Sequence, residues 1–203
     1  AEADTRLQRL TGTSDYHLSL GASSADELRD TGTLDFGLSL GLTRAITIFG
    51  RLPLVRARAQ GTIVLDPTSV DAGVNPGAAS QAAFFDQLGV ALSQLNTNIT
   101  SGAYAGDPAR LALAQSTLAS GQALGDDLFG LLADPATASP FVPTSSSAAG
   151  AAVGANVAAL QSTLANDLGV TGFTAVPLLP SDPVTGDDLR ALIADPSGPV
   201  GLR

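Results

Sequence analysis

From Thr33 the sequence TLDFGLSLGL alternates without a slip. Leu34, Phe36, Leu38, Leu40 and Leu42 fall on one side, and Thr33, Asp35, Gly37, Ser39 and Gly41 on the other. Period two of this kind marks a strand with one apolar face. The preceding DYHLSLGA repeats the pattern, with Tyr16, Leu18, Leu20 and Ala22 against His17, Ser19 and Gly21. The following AITIFGRLPLVRARAQGTIVL keeps Ile46, Ile48, Leu52 and Leu54 in phase, after which Arg56, Arg58 and Gln60 take the parity of Leu54 and not that of Arg51. A bulge at Pro53, which has no donor for the ladder, would account for the switch and return the three arginines to one polar face. The pattern predicts strands at about 15–22, 31–42 and 45–64, joined by a charged SSADELRDT loop and a short LTRA turn.

Beyond residue 65 the period changes to that of helices. Phe84, Phe85, Leu88, Leu92, Leu95 and Ile99 form one stripe of a helix over about 79–99, and Val153, Val157, Leu160, Leu164 and Leu168 one stripe over about 147–168, which Gly169 closes. Asp107 before Pro108 is a helix start, and the pattern continues to about residue 121. The phrase GDDLFGLLADP at Gly125 returns at Gly186 as GDDLRALIADP, identical at eight of eleven positions. Glycine interrupts the preceding segment, aspartates in the first turn accept from free amides, and ADP ends the helix because proline disfavours helical geometry in its predecessor. Two short, alike helices at about 126–133 and 187–194 follow. The competing reading of Asp126/Asp127 and Asp187/Asp188 is a calcium site, which requires six to eight converging oxygens that no known loop spacing supplies here. The shorter phrase QSTLA also occurs twice, at Gln115 and at Gln161.

Charge separates the same two regions. Residues 1–65 carry seven acids and seven arginines, whereas 66–203 carry twelve acids and three arginines, so the whole net charge of -9 lies in the second. Neither region offers a basic groove with interleaved aromatics, which argues against nucleic acid as a partner. The absence of cysteine excludes disulfides and thiolate metal sites. No apolar run reaches the roughly 18 residues of a spanning helix, and the AEAD start is compatible with cleavage of an export signal. His17 is the only histidine and falls on the polar side of its segment, a setting for hydrogen bonding more than for general-base chemistry. Without GxSxG, P-loop or dinucleotide fingerprint, the chain does not read as an enzyme, and no cofactor or metal is expected.

Short turns on one side of the strands and a very long connection on the other are the asymmetry of an outer-membrane barrel. A hairpin sheet packed on helices gives the same alternation. The stretch DTGTLDFGLSLGLTRAITIFGRLPLVRARAQ resembles the glycine-rich strand, G-L-T turn and L-P-hydrophobic strand of bacterial outer-membrane proteins related to the phenol-degradation and long-chain fatty acid transporters. That resemblance implies antiparallel transmembrane β-barrel strands in contact with a lipid bilayer, and passive transport or binding of a small-molecule solute. Such barrels begin at about eight strands. The three strands, with an end, GPVGLR, that lacks a terminal aromatic, are therefore expected to be the N-terminal portion of a longer polypeptide or to pool with further barrel strands in a homo-oligomer.

The sequence expectation is thus a partial barrel in 1–65 with a large α-helical extracellular insertion in 66–203, lying outside or in the barrel mouth of the bacterial outer membrane. His17, Asp35, Arg51, Arg56 and Arg58 are the candidate lumen-facing or ligand-binding residues. The alternative is a soluble exported module, periplasmic or secreted, whose acidic helical lobe binds another protein.

Overall fold

The computed structural model describes residues 2–66 and 69–194. It divides the chain into two units, Ala1–Ala22 with Asp66–Arg203, and Ser23–Leu65. The first is helical. It contains α1 (Glu2–Thr11), α2 (Ala78–Thr100), α3 (Pro108–Leu132), α4 (Ala148–Ser162) and α5 (Gly186–Ala194). A small sheet of β3 (Ala72–Val74) against β4 (Phe141–Pro143) completes it. The second unit is one hairpin of β1 (Ser23–Gly41) and β2 (Thr47–Leu65). In number order the small-sheet strands follow the hairpin strands.

This arrangement overturns the partial barrel. Among the described residues the strands form two separate two-stranded sheets, β1 with β2 and β3 with β4, and this is not a transmembrane barrel. Closure requires every strand to have a neighbour on both edges, and among the described residues β1 and β2 have one each. The insertion is also reversed. Residues 2–11 form α1 on the helical unit, and the expected strand at 15–22 is absent except for a single bridge between Leu20 and Val70. The amide of Asp66 donates to the carbonyl of Ala22 at 2.9 Å, so the hairpin leaves and re-enters the helical unit at neighbouring points. The SSADELRDT segment, expected as a loop, is the first half of β1.

Burial of one stripe from each helix builds the core. α1 contributes Leu7 and Leu10, α2 Phe84, Leu88, Ala91 and Leu95, α3 Ala114, Leu128, Leu131 and Leu132, and α4 Val153, Val157 and Leu160. α3 starts as a capped helix should: Asp107 accepts from the Arg110 amide at 3.0 Å, and Pro108 fills the first position, where no donor is needed. It then runs unbroken to Leu132, so the two expected helices at 108–121 and 126–133 are one. Gly125 does not interrupt it. A Cβ there would lie 3.1 Å from Leu88 Cδ2, and the missing side chain lets α2 and α3 pack closely.

α4 is capped by Ser147, whose Oγ accepts from the Gly150 amide at 3.1 Å and donates to the Thr144 carbonyl at 2.7 Å. A π-helical turn, Thr163–Asp167, follows it, and Gly169 with φ 69° takes the left-handed geometry beyond its end. α5 carries the second GDDL and opens with a reciprocal cap. The Asp188 amide donates to Thr185 Oγ1 at 3.2 Å, and the Thr185 amide donates to Asp188 Oδ2 at 2.9 Å. The Asp195-Pro196 stop and the GPVGLR end lie outside the described residues.

Candidate functional site

The hairpin pairs nineteen residues of β1 with nineteen of β2 in one uninterrupted antiparallel register, from Gly41 opposite Thr47 to Ser23 opposite Leu65. No bulge occurs at Pro53, which stands opposite Asp35. The extra residue is at the turn instead, where the amides of Leu42 and Thr43 both donate to the Ile46 carbonyl, at 2.8 and 3.2 Å. Because the Leu42 amide points inward, so do those of the even-numbered residues along both strands, and the odd-numbered backbone groups point to the outer edges. Pro53 is odd, so its missing donor costs the hairpin no internal bond.

This register fixes the faces. One carries Leu34, Phe36, Leu38 and Leu40 opposite Leu54, Leu52, Gly50 and Ile48, and continues away from the turn with Gly32, Asp30 and Asp26 opposite Arg56, Arg58 and Thr62. The other carries Asp35, Gly37 and Ser39 opposite Pro53, Arg51 and Phe49. Both are open to solvent: Leu38 is 76% and Phe49 81% exposed. The hairpin therefore holds a contiguous apolar half-face near its turn and a charged half-face near its open end.

Among the candidate residues, Arg51 and Asp35 do meet, with Nη2 2.8 Å from Oδ2. Arg56 and Arg58 do not join them. Without a bulge they share the leucine face, so the single polar face expected for all three arginines does not exist. His17 is not in a strand. It lies in the helical unit, largely exposed, with Nδ1 3.5 Å from Asp4 Oδ2. The expectation of a lumen lined by these five residues fails because the residues occupy two faces and a separate unit.

Sequence reasoning missed the distribution of charge between the strands. β1 carries Asp26, Glu27, Asp30 and Asp35 against Arg29, a net -3, and β2 carries Arg51, Arg56 and Arg58 with no acid, a net +3. Among the described residues, the ion pairs of the hairpin are Arg29 with Glu27 and Arg51 with Asp35, which leaves Asp26, Asp30, Arg56 and Arg58 without a salt bridge. The signal was present in the sequence but becomes visible only once residues 23–31 are known to be strand.

The helical unit also holds a cleft of about 470 Å³ between α3 and α4 that α1 borders. Thr117 and Thr163, the threonines of the two QSTLA phrases, both line it, as do Leu124, Asn156 and Leu160. Arg9 and Asp127 stand at its margin in a two-pronged ion pair, with Arg9 Nε 2.9 Å from Asp127 Oδ2. Asp126 and Asp127 are thus inside α3 and cap nothing. No group of three or more His, Cys, Asp or Glu converges for a metal among the described residues, and none of the described helices is long and apolar enough to cross a membrane. Compared with protein-family models, curated proteins and solved structures, the chain matches none, and no family is identified by them.

Proposed function

We propose that this chain is an interaction module. The helical unit is its stable body, and the hairpin recruits strands of another polypeptide into a shared antiparallel sheet. One observation carries this reading: among the described residues, a long ladder has both outer edges unpaired and a contiguous apolar half-face in solvent. A two-stranded hairpin is marginal in water, and gains stability from a third strand or from cover over its apolar face. Open edges are templates for strand addition, in which backbone hydrogen bonds give affinity and alternate side chains give specificity. Exposed apolar patches of this extent mark interaction surfaces. The acidic helical body, with most of the chain's carboxylates, favours solubility.

The test compares the full chain with a variant in which a short Gly-Ser link replaces 23–65, joining points that already share the Ala22–Asp66 hydrogen bond. The full chain is expected to associate, with the odd-numbered outward amides slowing in hydrogen exchange. The excised variant is expected to keep its melting temperature and remain monomeric. A full chain whose outward amides exchange freely at every soluble concentration, or which gains protection only on phosphatidylglycerol vesicles and without slowing of those amides, would defeat the strand-recruiting role. The second result would assign the apolar half-face to lipid.

A further inference from the structure

We infer that the recruited strand comes from a second copy of this chain, joined head to tail so that β2 of one copy lies beside β1 of the next; this rests on the strand-recruiting role of the hairpin. The charge segregation selects the arrangement. Pairing β1 with β1 would set a net -3 strand against another, and β2 with β2 a net +3 strand against another, whereas β2 beside β1 sets opposite charges together. Like charges directly opposite across a ladder destabilise it, and opposite charges stabilise it. Asp26, Asp30, Arg56 and Arg58 share one face and have no salt bridge within their own copy, so two carboxylates at one edge and two guanidinium groups at the other remain available to neighbours.

Backbone geometry agrees with this choice. Hairpins placed side by side in the same orientation bring β2 and the next β1 together antiparallel, as in the hairpin itself. The outward-pointing groups are the odd-numbered ones on both strands, so the new ladder pairs odd with odd and its register can shift only by even steps. Every such register keeps Leu34, Phe36, Leu38 and Leu40 of successive copies on one face and extends the apolar half-face continuously. A shift by one residue would invert the faces. Pro53 withholds one outward donor from the β2 edge and leaves a single gap in the seam. An interface between two different edges is heterologous, so an open series keeps a free β1 edge at one end and a free β2 edge at the other until it closes.

Since the chain has no cysteine, one engineered thiol is the sole reactive one. Leu28→Cys reports β1 and Gln60→Cys reports β2, each at an even position whose side chain approaches its neighbour across the seam. Treating an equimolar mixture with a short bismaleimide, with one variant tagged to alter its size, is expected to yield mixed dimers about tenfold over either self-dimer. A second variant exchanges the charges, Asp26→Arg, Asp30→Arg, Arg56→Asp and Arg58→Asp, and so preserves complementarity inside the hairpin. It is expected to cross-link with itself as wild type does and not with wild type, because both mixed seams would then carry like charges.

Self-dimers exceeding mixed dimers, or free cross-linking between wild type and the charge-exchanged variant, would overturn the head-to-tail arrangement. Slowed odd-numbered amides in that case would leave strand recruitment standing with a different partner edge. Absence of both cross-links and slowed amides would remove the two together. Protection of even-numbered amides shows that a variant hairpin has formed; if the exchanged variant fails that check, the wild-type mixture alone decides.

Discussion

Gln81 and Leu178 exchange two hydrogen bonds. The Gln81 carboxamide nitrogen donates to the Leu178 carbonyl at 2.7 Å, and its oxygen accepts from the Leu178 amide at 2.9 Å. A side chain on α2 thus does for an extended segment what a neighbouring strand would do, with Gln81 fully buried. Gln87 repeats the device by accepting from the amides of Thr174 and Ala175, at 3.0 and 2.9 Å, and Gln161 donates to the Ala175 carbonyl at 2.8 Å. Three glutamines therefore fasten backbone that belongs to no helix or sheet. Gln81→Leu keeps the volume and strips both bonds, leaving the Leu178 amide and carbonyl without these partners. Because Leu178 is itself half exposed and water can take up part of what is lost, a loss of about 1–3 kcal/mol is expected in urea unfolding, at about 0.5–1.5 kcal/mol for each hydrogen bond removed.

Gly150 sits in the first turn of α4, where an added Cβ would lie 2.0 Å from the carbonyl oxygen of Thr144. The obstacle is backbone and cannot swing aside. Gly150→Ala, ordinarily favourable inside a helix, is expected instead to lower the melting temperature by several degrees, with a stability loss of about 1–3 kcal/mol. Gly154→Ala, with open space around the added methyl, serves as the control and should be neutral or stabilising. Thermal unfolding followed by circular dichroism compares them.

Asp126 and Asp127 are adjacent and chemically the same, yet their substitutions should differ. Asp127 is mostly buried and holds the Arg9 guanidinium in two-pronged contact, whereas Asp126 is exposed on α3. Asp127→Ala is expected to cost about 1 kcal/mol, modest because Arg9 itself is half exposed and screened by water. Asp126→Ala should change stability by less than about 0.5 kcal/mol. Chemical denaturation of the two variants at low and at high salt separates the charge contribution.

Tyr16 provides a pH dependence. Partial burial, and then its hydrogen bond to Asp71 Oδ2 at 2.8 Å, push its phenol well above the usual tyrosine range. The folded state therefore keeps a proton that the unfolded state releases. The resulting stability is fully present below the ordinary tyrosine pKa of about 10 and declines as pH rises above it. Tyr16→Phe should remove that alkaline slope. Denaturant midpoints measured between neutral pH and about pH 11 give the comparison.

What the sequence made legible was local, and what it concealed depended on neighbours. The alternation of Leu34, Phe36, Leu38 and Leu40 identifies an apolar strand face, and those residues share one in the structure. Alternation is the same in a hairpin as in a closed sheet, however, so it says nothing of how many strands stand alongside. Pro53 cannot donate, which predicts a bulge, but its nitrogen faces the outer edge and the ladder passes undisturbed, so Arg56 and Arg58 stay on the leucine face. Glycine weakens helices, which predicts a break at Gly125, while packing against Leu88 supplies a reason for it inside one. Arg51 and Asp35 share a polar parity in the sequence, and their contact follows from it. The segregation of charge between strands was hidden by treating Asp26, Glu27 and Asp30 as loop.

The meeting of Ala22 and Asp66 has a consequence for the order in which the molecule forms. The hairpin can zip outward from Thr43 through partners that are near in sequence, on the microsecond scale of such elements. The helical unit cannot close so early, because α1 is held by partners far along the chain: Arg9 by Asp127, 118 residues away, and the Leu10 carbonyl by Asn156, 146 residues away. Long-range closure of this kind slows folding. During synthesis the amphipathic ribbon therefore emerges and assembles while its own scaffold is still unfinished, and its leucine face is exposed to other nascent chains before any completed body accompanies it.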